Sequence, residues 1–212
     1  MPKPTTTFPR KQPRQARAQA TVSAILEAAI RVLDREGAAA ATTTRVAEVA
    51  GVSVGTLYQY FPHRDAILHA LQDRELERAL VLMQTVLSTG NLGRTPRQTV
   101  TAVVQGLAAL YSSCPGLHRV LAIEGLRVAA EGRVHSFDLH VIAIIRHFLS
   151  LTGARVRRVN HGAAAFVAFQ SVRATMLASL LERPQELDQA GLVEEMVDLV
   201  VRYLVEDEVG DA

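Results

Sequence analysis

Apolar residues recur along most of the chain at the three- and four-residue spacing of a helix face, without strand-like alternation. The first such stripe contains Val22, Ile25, Leu26, Ala29 and Leu33, and Gly37 is a typical helix stop behind it. The same pattern predicts six long helices toward the C-terminus, at about 65–89, 96–113, 117–128, 134–151, 161–182 and 186–206. We therefore expect an all-α fold of about nine helices.

Two very short helices are predicted between the first long helix and the others. The Thr42–Thr44 cluster supplies N-cap residues for one, which ends at Gly51, and Ser53 caps the next, which Pro62 ends. Two short helices joined by a tight glycine turn are typical of a DNA-binding helix-turn-helix. An ordinary capped helical hairpin is the alternative.

The second short helix has two chemically different faces. Leu57 and Phe61 are expected to point into the core. An exposed pair of Val54 and Gly55 does little for stability, but it suits a helix that presses into the major groove and meets a thymine methyl. Gln59 carries the donor and acceptor that read adenine, and the neighbouring Tyr and Thr hydroxyls can donate to phosphates.

Charge is distributed unevenly along the chain. Residues 1–66 contain nine Lys/Arg and five Asp/Glu, a net +4, whereas residues 67–212 contain fourteen and sixteen, a net −2. Four prolines in residues 1–13 predict a flexible basic arm over residues 1–14, which either contacts DNA or merely aids solubility. We expect a DNA-binding domain over 15–64 and a regulatory, dimerising domain over 65–212.

The composition excludes several classes of protein. A hydrophobic content of 49% is too high for a disordered chain, and the single Cys114 excludes an internal disulfide framework. No apolar run was expected to reach the length of a membrane span, so a cytoplasmic protein without membrane contact is predicted. No nucleophile–base motif or phosphate loop indicates an enzyme, and no cofactor is predicted. The His135, His140 and His147 spacing favours a metal site only weakly.

One string of residues resembles the signature of the TetR/AcrR family of bacterial regulators. It comprises Val46, Ala47, Ala50, Gly51, Val52, Ser53, Gly55, Thr56, Leu57, Tyr58, Tyr60 and Phe61, and it continues through Arg64, Asp65, Ala66, Ile67 and Leu68. Family members usually carry Lys at the position of Arg64, a change that keeps the charge. The resemblance implies a dimer that inserts one recognition helix into each half of a palindrome. It implies DNA contacts by Thr42, Thr43, Thr44, Arg45, Ser53, Val54, Gly55, Thr56, Tyr58, Gln59, Tyr60, His63 and Arg64.

The last two predicted helices are the candidate dimer interface. One face of the helix at 161–182 carries only small side chains, and the last helix has a wide apolar stripe. The resemblance implies that these helices pair with their symmetry mates, although both could simply pack inside one subunit. The interface residues are predicted to be Ala164, Ala168, Ser171, Thr175, Ala178, Leu192, Met196, Leu199, Val200 and Tyr203.

Polar residues on apolar stripes are the candidate ligand contacts in the regulatory domain. Gln170, Arg173 and Glu124 need buried partners, and either a Glu124–Arg173 pair or a ligand cavity would provide them. The predicted lining is Tyr111, Leu121, Glu124, His140, Phe166, Gln170 and Arg173. An apolar cavity with one cation, Arg173, suits a small organic acid or a mixed apolar–polar compound.

These features together predict a sequence-specific DNA-binding transcriptional regulator. The leading hypothesis is a repressor that a small-molecule ligand releases from a palindromic operator. The alternatives are a DNA-binding protein without ligand control and a metal-responsive regulator.

Overall fold

The computed structural model describes residues 12–88, 93–128, 133–152, 158–182 and 189–205. Its described part is helical, without a β-strand, and the predicted all-α class is confirmed. The helices are α1 (Gln12–Arg35), α2 (Thr43–Ala50), α3 (Val54–Tyr60), α4 (Arg64–Val86), α5 (Pro96–Ser113), α6 (Pro115–Val128), α7 (Arg133–Thr152), α8 (His161–Glu182) and α9 (Gln189–Leu204), with a 3₁₀ turn at Ala38–Ala40.

Two helix starts differ from the sequence expectation, and proline explains both. Helix α1 begins at Gln12, so residues 12–14 are helical rather than part of the predicted arm, whose remaining residues lie outside the described part. Helix α6 begins at Pro115, which had been interpreted only as a stop for the preceding helix. Proline lacks a donor that the first helical turn does not use, so it fits there without loss.

The chain divides into two compact units, Met1–Leu71 and Gln72–Ala212, and the division falls within α4. The first unit is the three-helix domain of α1 to α3 with the start of α4. Its core contains Ile25, Leu33, Val46 and Leu57, all 1% exposed or less. This core orients α2 and α3, the two short helices that could not hold their shape alone.

The second unit is built around α5, α7, α8 and α9. The main cluster of buried residues in this unit comprises Val104, Leu149, Ala164, Ala165, Ala168, Val172, Met176, Met196, Val197, Val200 and Leu204. Helix α5 starts with a reciprocal capping box, in which Thr95 and Gln98 each accept a hydrogen bond from the other's backbone N–H. The cap sets the start of the helix that lines much of this core.

Helix α8 is apolar nearly all round. By length and composition alone it could cross a membrane, so the expectation that no segment reaches that threshold is wrong for this helix. Core helices of soluble proteins meet the same criterion. In α8, Ala164 and Ala165 are buried while Phe166 and Val167 are exposed, so apolar residues occupy both its inner and its outer side.

Candidate DNA-binding surface and ligand cavity

Helix α3 is fixed by a cap at its start and an anchor on one side. The Ser53 Oγ accepts a hydrogen bond from the Thr56 backbone N–H at 3.0 Å, and it lies 2.8 Å from the Thr56 Oγ1. Leu57 is fully buried and Phe61 is 7% exposed. The inward and outward faces of α3 are therefore those that the sequence predicted, and the buried side chains set which way the other face points.

The opposite face of α3 presents an uncommon set of exposed groups. Val54 is 38% exposed, Tyr58 is 50% exposed, and Gln59 and Tyr60 are also exposed. A Cβ built on Gly55 would meet only the Ser53 Oγ, at an ordinary 3.9 Å. The protomer itself therefore does not require glycine at this position, which leaves the backbone open to close approach from outside.

The three threonines before and within α2 occupy different positions. Thr42 is the N-cap, and its side chain accepts from the Arg45 backbone N–H at 3.1 Å. The Thr43 Oγ1 lies 3.2 Å from the Tyr58 Oη, which links the start of α2 to the exposed face of α3, and Thr44 is exposed. The hydroxyls of Thr43 and Tyr58 thus form a polar rim beside Gln59.

Arg45 was predicted to contact DNA, but its guanidinium is engaged within the domain. It donates two hydrogen bonds to Glu36, at 2.9 and 3.0 Å, and one to Glu48 at 2.8 Å. The hydrogen bonds from Arg45 lower the pKa of Glu36, and those two carboxylates raise the pKa of Arg45. A guanidinium satisfied by two carboxylates offers a phosphate little net charge, so the structure does not favour this contact.

His63 and Arg64, predicted as cations for phosphate, also have intramolecular partners. The His63 Nδ1 accepts a hydrogen bond from the Ala66 backbone N–H at 3.1 Å. Arg64 donates from Nε to the Ala41 carbonyl at 3.0 Å and from Nη2 to the Ala38 carbonyl at 3.2 Å. Arg64 therefore joins the start of α4 to the turn before α2, a structural role that helix spacing could not reveal.

The second unit contains a cavity of about 140 Å³ between α4, α5, α6, α7 and α8. Its lining includes the predicted residues Tyr111, Leu121 and Arg173. Burial raises the pKa of the Tyr111 hydroxyl. The complete described lining is Gln72, Glu75, Leu76, Ala79, Met83, Leu107, Leu110, Tyr111, His118, Leu121, Ala122, Phe137, Asp138, Val141, Phe169, Arg173 and Leu177.

The other predicted ligand contacts lie elsewhere. Phe166 is 51% exposed, His140 is exposed, and neither is among the described lining residues. Gln170 and Glu124 are also outside that lining, although Gln170 reaches Asp138 at 3.4 Å. Helical spacing places residues on a face without saying what that face meets, so these four contacts stay predictions.

Arg173 pairs with Asp138 of α7, not with Glu124 as the sequence suggested. The sequence left a Glu124–Arg173 pair and a ligand cavity as alternatives, and the carboxylate that Arg173 meets lies on α7. Because Asp138 neutralises Arg173, the described lining of the cavity lacks the free cation on which the expectation of an organic acid rested.

Sequence reasoning missed four polar lining residues, namely Gln72, Glu75, His118 and Asp138. Glu75 is 6% exposed and His118 is 4% exposed. Burial lowers the pKa of His118, with Arg78 acting in the same direction, while Glu75 and a hydrogen bond to the Leu110 backbone oppose the shift. One sequence feature could have revealed Glu75. It is a charged residue on the apolar helix face that also carries Leu71 and Ala79.

The predicted dimer surface is divided between two environments. Ala164, Ala168, Met196 and Val200 are buried in the protomer core, which removes them from direct contact with a partner. Ser171, Thr175, Ala178, Leu192 and Tyr203 are half-buried, and the Tyr203 ring lies under the Arg158 guanidinium. Leu199 is 54% exposed. The small-residue stripe of α8 thus faces inward, and Phe166 and Val167 lie on the exposed side.

No group of three or more His, Cys, Asp or Glu side chains in the described part is arranged to hold a metal ion. His140 and His147 are both exposed on α7, and His135 lies outside the residues whose side chains are described.

Two family models match the chain. The model described as "Bacterial regulatory proteins, tetR family" matches residues 25–71, which hold the helix-turn-helix. The model described as "Tetracyclin repressor-like, C-terminal domain" matches residues 95–204, about half of the chain.

Relatives matched by sequence are nucleoid occlusion factors. The nucleoid occlusion factor SlmA of Glaesserella parasuis is 28% identical over 132 residues, which cover 62% of this chain and 61% of the relative. That of Actinobacillus pleuropneumoniae is 31% identical over 122 residues, covering 57% and 56%. The chain thus spans about three fifths of the length of the curated relatives it matches.

Solved structures extend the similarity of fold to most of the chain. SmeT, the repressor of the Stenotrophomonas maltophilia multidrug efflux pump SmeDEF, superposes with a TM-score of 0.69 at 19% identity, covering 91% of this chain and 94% of SmeT. The fatty acid degradation regulator FadR from Bacillus halodurans superposes with a TM-score of 0.68 at 17% identity, covering 91% of this chain and 96% of FadR. With both family models matched, this chain belongs to the TetR family of bacterial regulatory proteins, which bind DNA and act as dimers.

Proposed function

We propose that this protein is a repressor that binds a palindromic operator as a dimer and leaves it when a small molecule binds in the second unit. The exposed face of α3 carries this proposal. Val54, Gly55 and Gln59 contribute little to the protomer's core, yet together they offer a methyl contact, close backbone approach and a bidentate amide.

The dimer half of the proposal is supported by exposed apolar residues on α8 and α9. Phe166 is 51% exposed, Val167 41% and Leu199 54%. Large apolar side chains exposed on two neighbouring helices are typical of an interface between subunits. We propose that they form its centre, with the half-buried members of the predicted set around them.

The cavity supports the ligand half of the proposal. It is enclosed by five helices and combines apolar walls with a few polar groups, which is the usual composition of a small-molecule site. A structure of SmeT in complex with triclosan gives a TM-score of 0.70 with this chain at 19% identity. We therefore propose small-molecule control for this protein as well.

Helix α4 is the proposed link between ligand and DNA binding. Its first turn is tied into the first unit by the hydrogen bonds of Arg64 to Ala38 and Ala41, and its later turns line the cavity through Glu75, Ala79 and Met83. A ligand that shifts this helix would change the separation of the two recognition helices, which must match about 34–36 Å of DNA. DNA and ligand must then weaken each other's binding by the same factor.

Binding-site selection tests the assignment of α3. Gln59→Ala is expected to relax the preference at one base pair per half-site, by about 1–3 kcal/mol if the contact is bidentate. Tyr58→Phe removes a hydroxyl that can donate to phosphate, so it should weaken binding to all sequences alike. A narrower or unchanged consensus for Gln59→Ala, or an altered consensus for Tyr58→Phe, contradicts the assignment.

A second candidate function is DNA binding without ligand control. The observation in its favour is that the sequence relatives are named as nucleoid occlusion factors. Genome-wide mapping of the bound protein separates the two candidates. A repressor occupies one or a few palindromes beside promoters, whereas a nucleoid-associated role requires many sites spread over the chromosome.

A further inference from the structure

The polar lining of the cavity includes Glu75 of α4, His118 of α6 and Asp138 of α7, which we call the acceptor cluster. Glu75 and His118 are more than nine-tenths buried, and the Asp138 side chain is 15% exposed. Buried groups of this kind require hydrogen-bond partners, because an unpaired one has lost its hydration without compensation. The hydrogen bonds of this cluster therefore indicate which ligand chemistry it can accept.

His118 presents a lone pair to the cavity. Its ring hydrogen-bonds to the Leu110 backbone and packs edge-on against Tyr111 at 5.0 Å between centroids. Its Nε2 has no hydrogen-bond partner among the described residues and lies 3.8 Å from the Glu75 Oε2. Because burial lowers the pKa of His118, the ring is neutral near pH 7, and its single proton serves the backbone bond. The His118 Nε2 and the Glu75 Oε2 are then two acceptors that face each other and require a donor.

Asp138 adds a further acceptor atom. Its Oδ2 receives hydrogen bonds from Arg173 and Gln170, whereas its Oδ1 is buried without a partner in the described part of the chain. The Arg173 guanidinium that lines the cavity is thereby neutralised, and it also lies 5.9 Å from the Phe169 ring. The cluster thus offers acceptors and no free cation.

Two arginines outside the cavity lining partly compensate Glu75. Arg78 donates from Nη1 to both Glu75 oxygens, at 2.9 and 3.2 Å, and the Arg74 Nε lies 3.6 Å from Oε1. Both arginines are more exposed than Glu75, with side-chain exposures of 51% and 30% against 6%. Solvent therefore screens Arg78 more strongly than the buried carboxylate, whereas the Arg74 Nε is itself buried beside Glu75.

A second cavity of about 90 Å³ shares Met83, Leu107 and Phe169 with the first. It is lined almost entirely by apolar side chains, among them Val100, Val104 and Ile145, and the hydroxyl of its Thr99 is already bonded to the Thr95 carbonyl. Polar acceptors in one cavity and an apolar space in the adjoining one suit an amphipathic molecule.

We propose that the ligand is an organic amine, whose protonated head donates to the acceptor cluster and whose alkyl or aryl body extends toward the second cavity. An ammonium group has several donors and no acceptor, which matches the unpartnered His118 Nε2 and Asp138 Oδ1. A carboxylate would add acceptors beside these two unpartnered acceptor atoms. This inference rests on the proposed ligand control but concerns the chemistry of the site alone.

Calorimetric titration of the full chain with octylamine, 1-octanol and octanoate tests the head group at constant chain length. Octylamine is expected to bind at least about tenfold more tightly than either of the others, because a charge-assisted hydrogen bond contributes more than a neutral one. Octanol binding as tightly as octylamine, octanoate binding more tightly, or no binding of any probe overturns the proposal.

Glu75→Gln keeps the side-chain shape and removes the charge, and the exposed Glu77→Gln on the same helix is its matched control. Glu75→Gln should lower the affinity for octylamine at least about tenfold and leave the affinity for octanol unchanged. Glu77→Gln should change neither affinity. Equal weakening of octylamine and octanol contradicts the assignment. If a thermal melt shows that Glu75→Gln is unfolded, Asp138→Asn is used for the same comparison.

Release from DNA is measured separately, by fluorescence anisotropy on a duplex selected by the wild-type protein. Octylamine binding that leaves DNA affinity unchanged supports the site and contradicts ligand control. Release of the protein from DNA by octanoate but not by octylamine supports ligand control and overturns the proposal that the ligand is an amine.

Discussion

At the scale of single residues, the helix-turn-helix uses two glycines for different reasons. Gly51 ends α2 in a left-handed conformation, with φ at 68°. Gly55 is part of α3, and an added Cβ would make only an ordinary contact with the Ser53 Oγ. The first glycine is required by backbone geometry. The protomer does not require the second, and we propose that it serves the close approach of α3 to DNA.

The substitution to alanine is expected to have opposite effects at these two glycines. Gly51→Ala should lower the free energy of unfolding by about 1–2 kcal/mol, because L-residues resist the left-handed conformation. Gly55→Ala should leave it unchanged or raise it by up to about 1 kcal/mol, since alanine is the better helix former. DNA affinity should nevertheless fall for Gly55→Ala, as measured by anisotropy beside urea unfolding. Full DNA affinity in Gly55→Ala would mean that this backbone does not approach DNA closely.

The buried His118 makes stability depend on pH. Its pKa is lowered in the folded state, so between that value and the unfolded value of about 6.5 the unfolded chain binds more protons. The contribution of neutral, buried His118 to the unfolding free energy is complete above about pH 6.5. It is lost as the pH falls below that value, by at most about 1.4 kcal/mol per pH unit. Urea unfolding between pH 7 and 5 measures the slope of the unfolding free energy against pH. This slope should be smaller for His118→Leu than for wild type. The exposed His140→Gln should keep the wild-type slope; equal slopes in all three would contradict the assignment.

At the scale of elements, short helices depend on their caps more than long ones do. Helix α3 has only seven residues, and one of its orphan N–H groups, that of Thr56, donates to the Ser53 Oγ. Helix α5 begins with the Thr95–Gln98 capping box. Both caps serve the same local purpose, but only the cap of α3 lies beside the candidate DNA surface.

Removal of the two caps separates local stability from DNA binding. Ser53→Ala and Thr95→Ala should each cost about 1 kcal/mol of unfolding free energy. Ser53→Ala should also weaken DNA binding, because α3 loses its fixed start, whereas Thr95→Ala should leave it unchanged. Urea unfolding and anisotropy on the selected duplex provide the two readouts. A comparable loss of DNA affinity in Thr95→Ala would show that the effect of Ser53→Ala is not local to α3.

At the scale of the whole molecule, the exposed apolar residues of α8 and α9 point to the partner subunit. Phe166→Glu and Leu199→Glu are each expected to raise the dimer dissociation constant at least about tenfold, because a charge would be buried without a partner. Leu139→Glu is the matched control, since Leu139 is 55% exposed but lies on α7. Light scattering over a dilution series measures the change. A dimer that survives both α8 and α9 substitutions, or that Leu139→Glu disrupts, would place the interface elsewhere.

Most helices were predictable because their signals are local. Apolar periodicity, capping residues and helix-breaking residues act within a few positions of the chain. The local sequence therefore predicts α3, α5 and the glycine turn. The errors at Gln12 and Pro115 arose because proline either starts or stops a helix, and composition does not distinguish the two. The exposed face of α3 was predictable for the same local reason, since Leu57 and Phe61 define the buried side.

The partners of polar side chains were not predictable in this way. The sequence indicated that Arg173 needs a carboxylate, but Asp138 lies 35 positions away, on a helix whose rotation no local pattern specifies. Arg45 and Arg64 similarly became intramolecular donors because Glu36, Ala38 and Ala41 fold back toward them. On the apolar α8, spacing alone could not say which side faces the core.

The amino-acid sequence by itself determined the all-α class, the helix-turn-helix and the family, because each depends on short-range patterns. Tertiary structure alone decided that the cavity is lined by Glu75, His118 and Asp138, and that the small face of α8 points inward. The reason is physical. A helix face is defined by residues three and four apart, whereas the identity of what it meets depends on how helices pack across the whole domain.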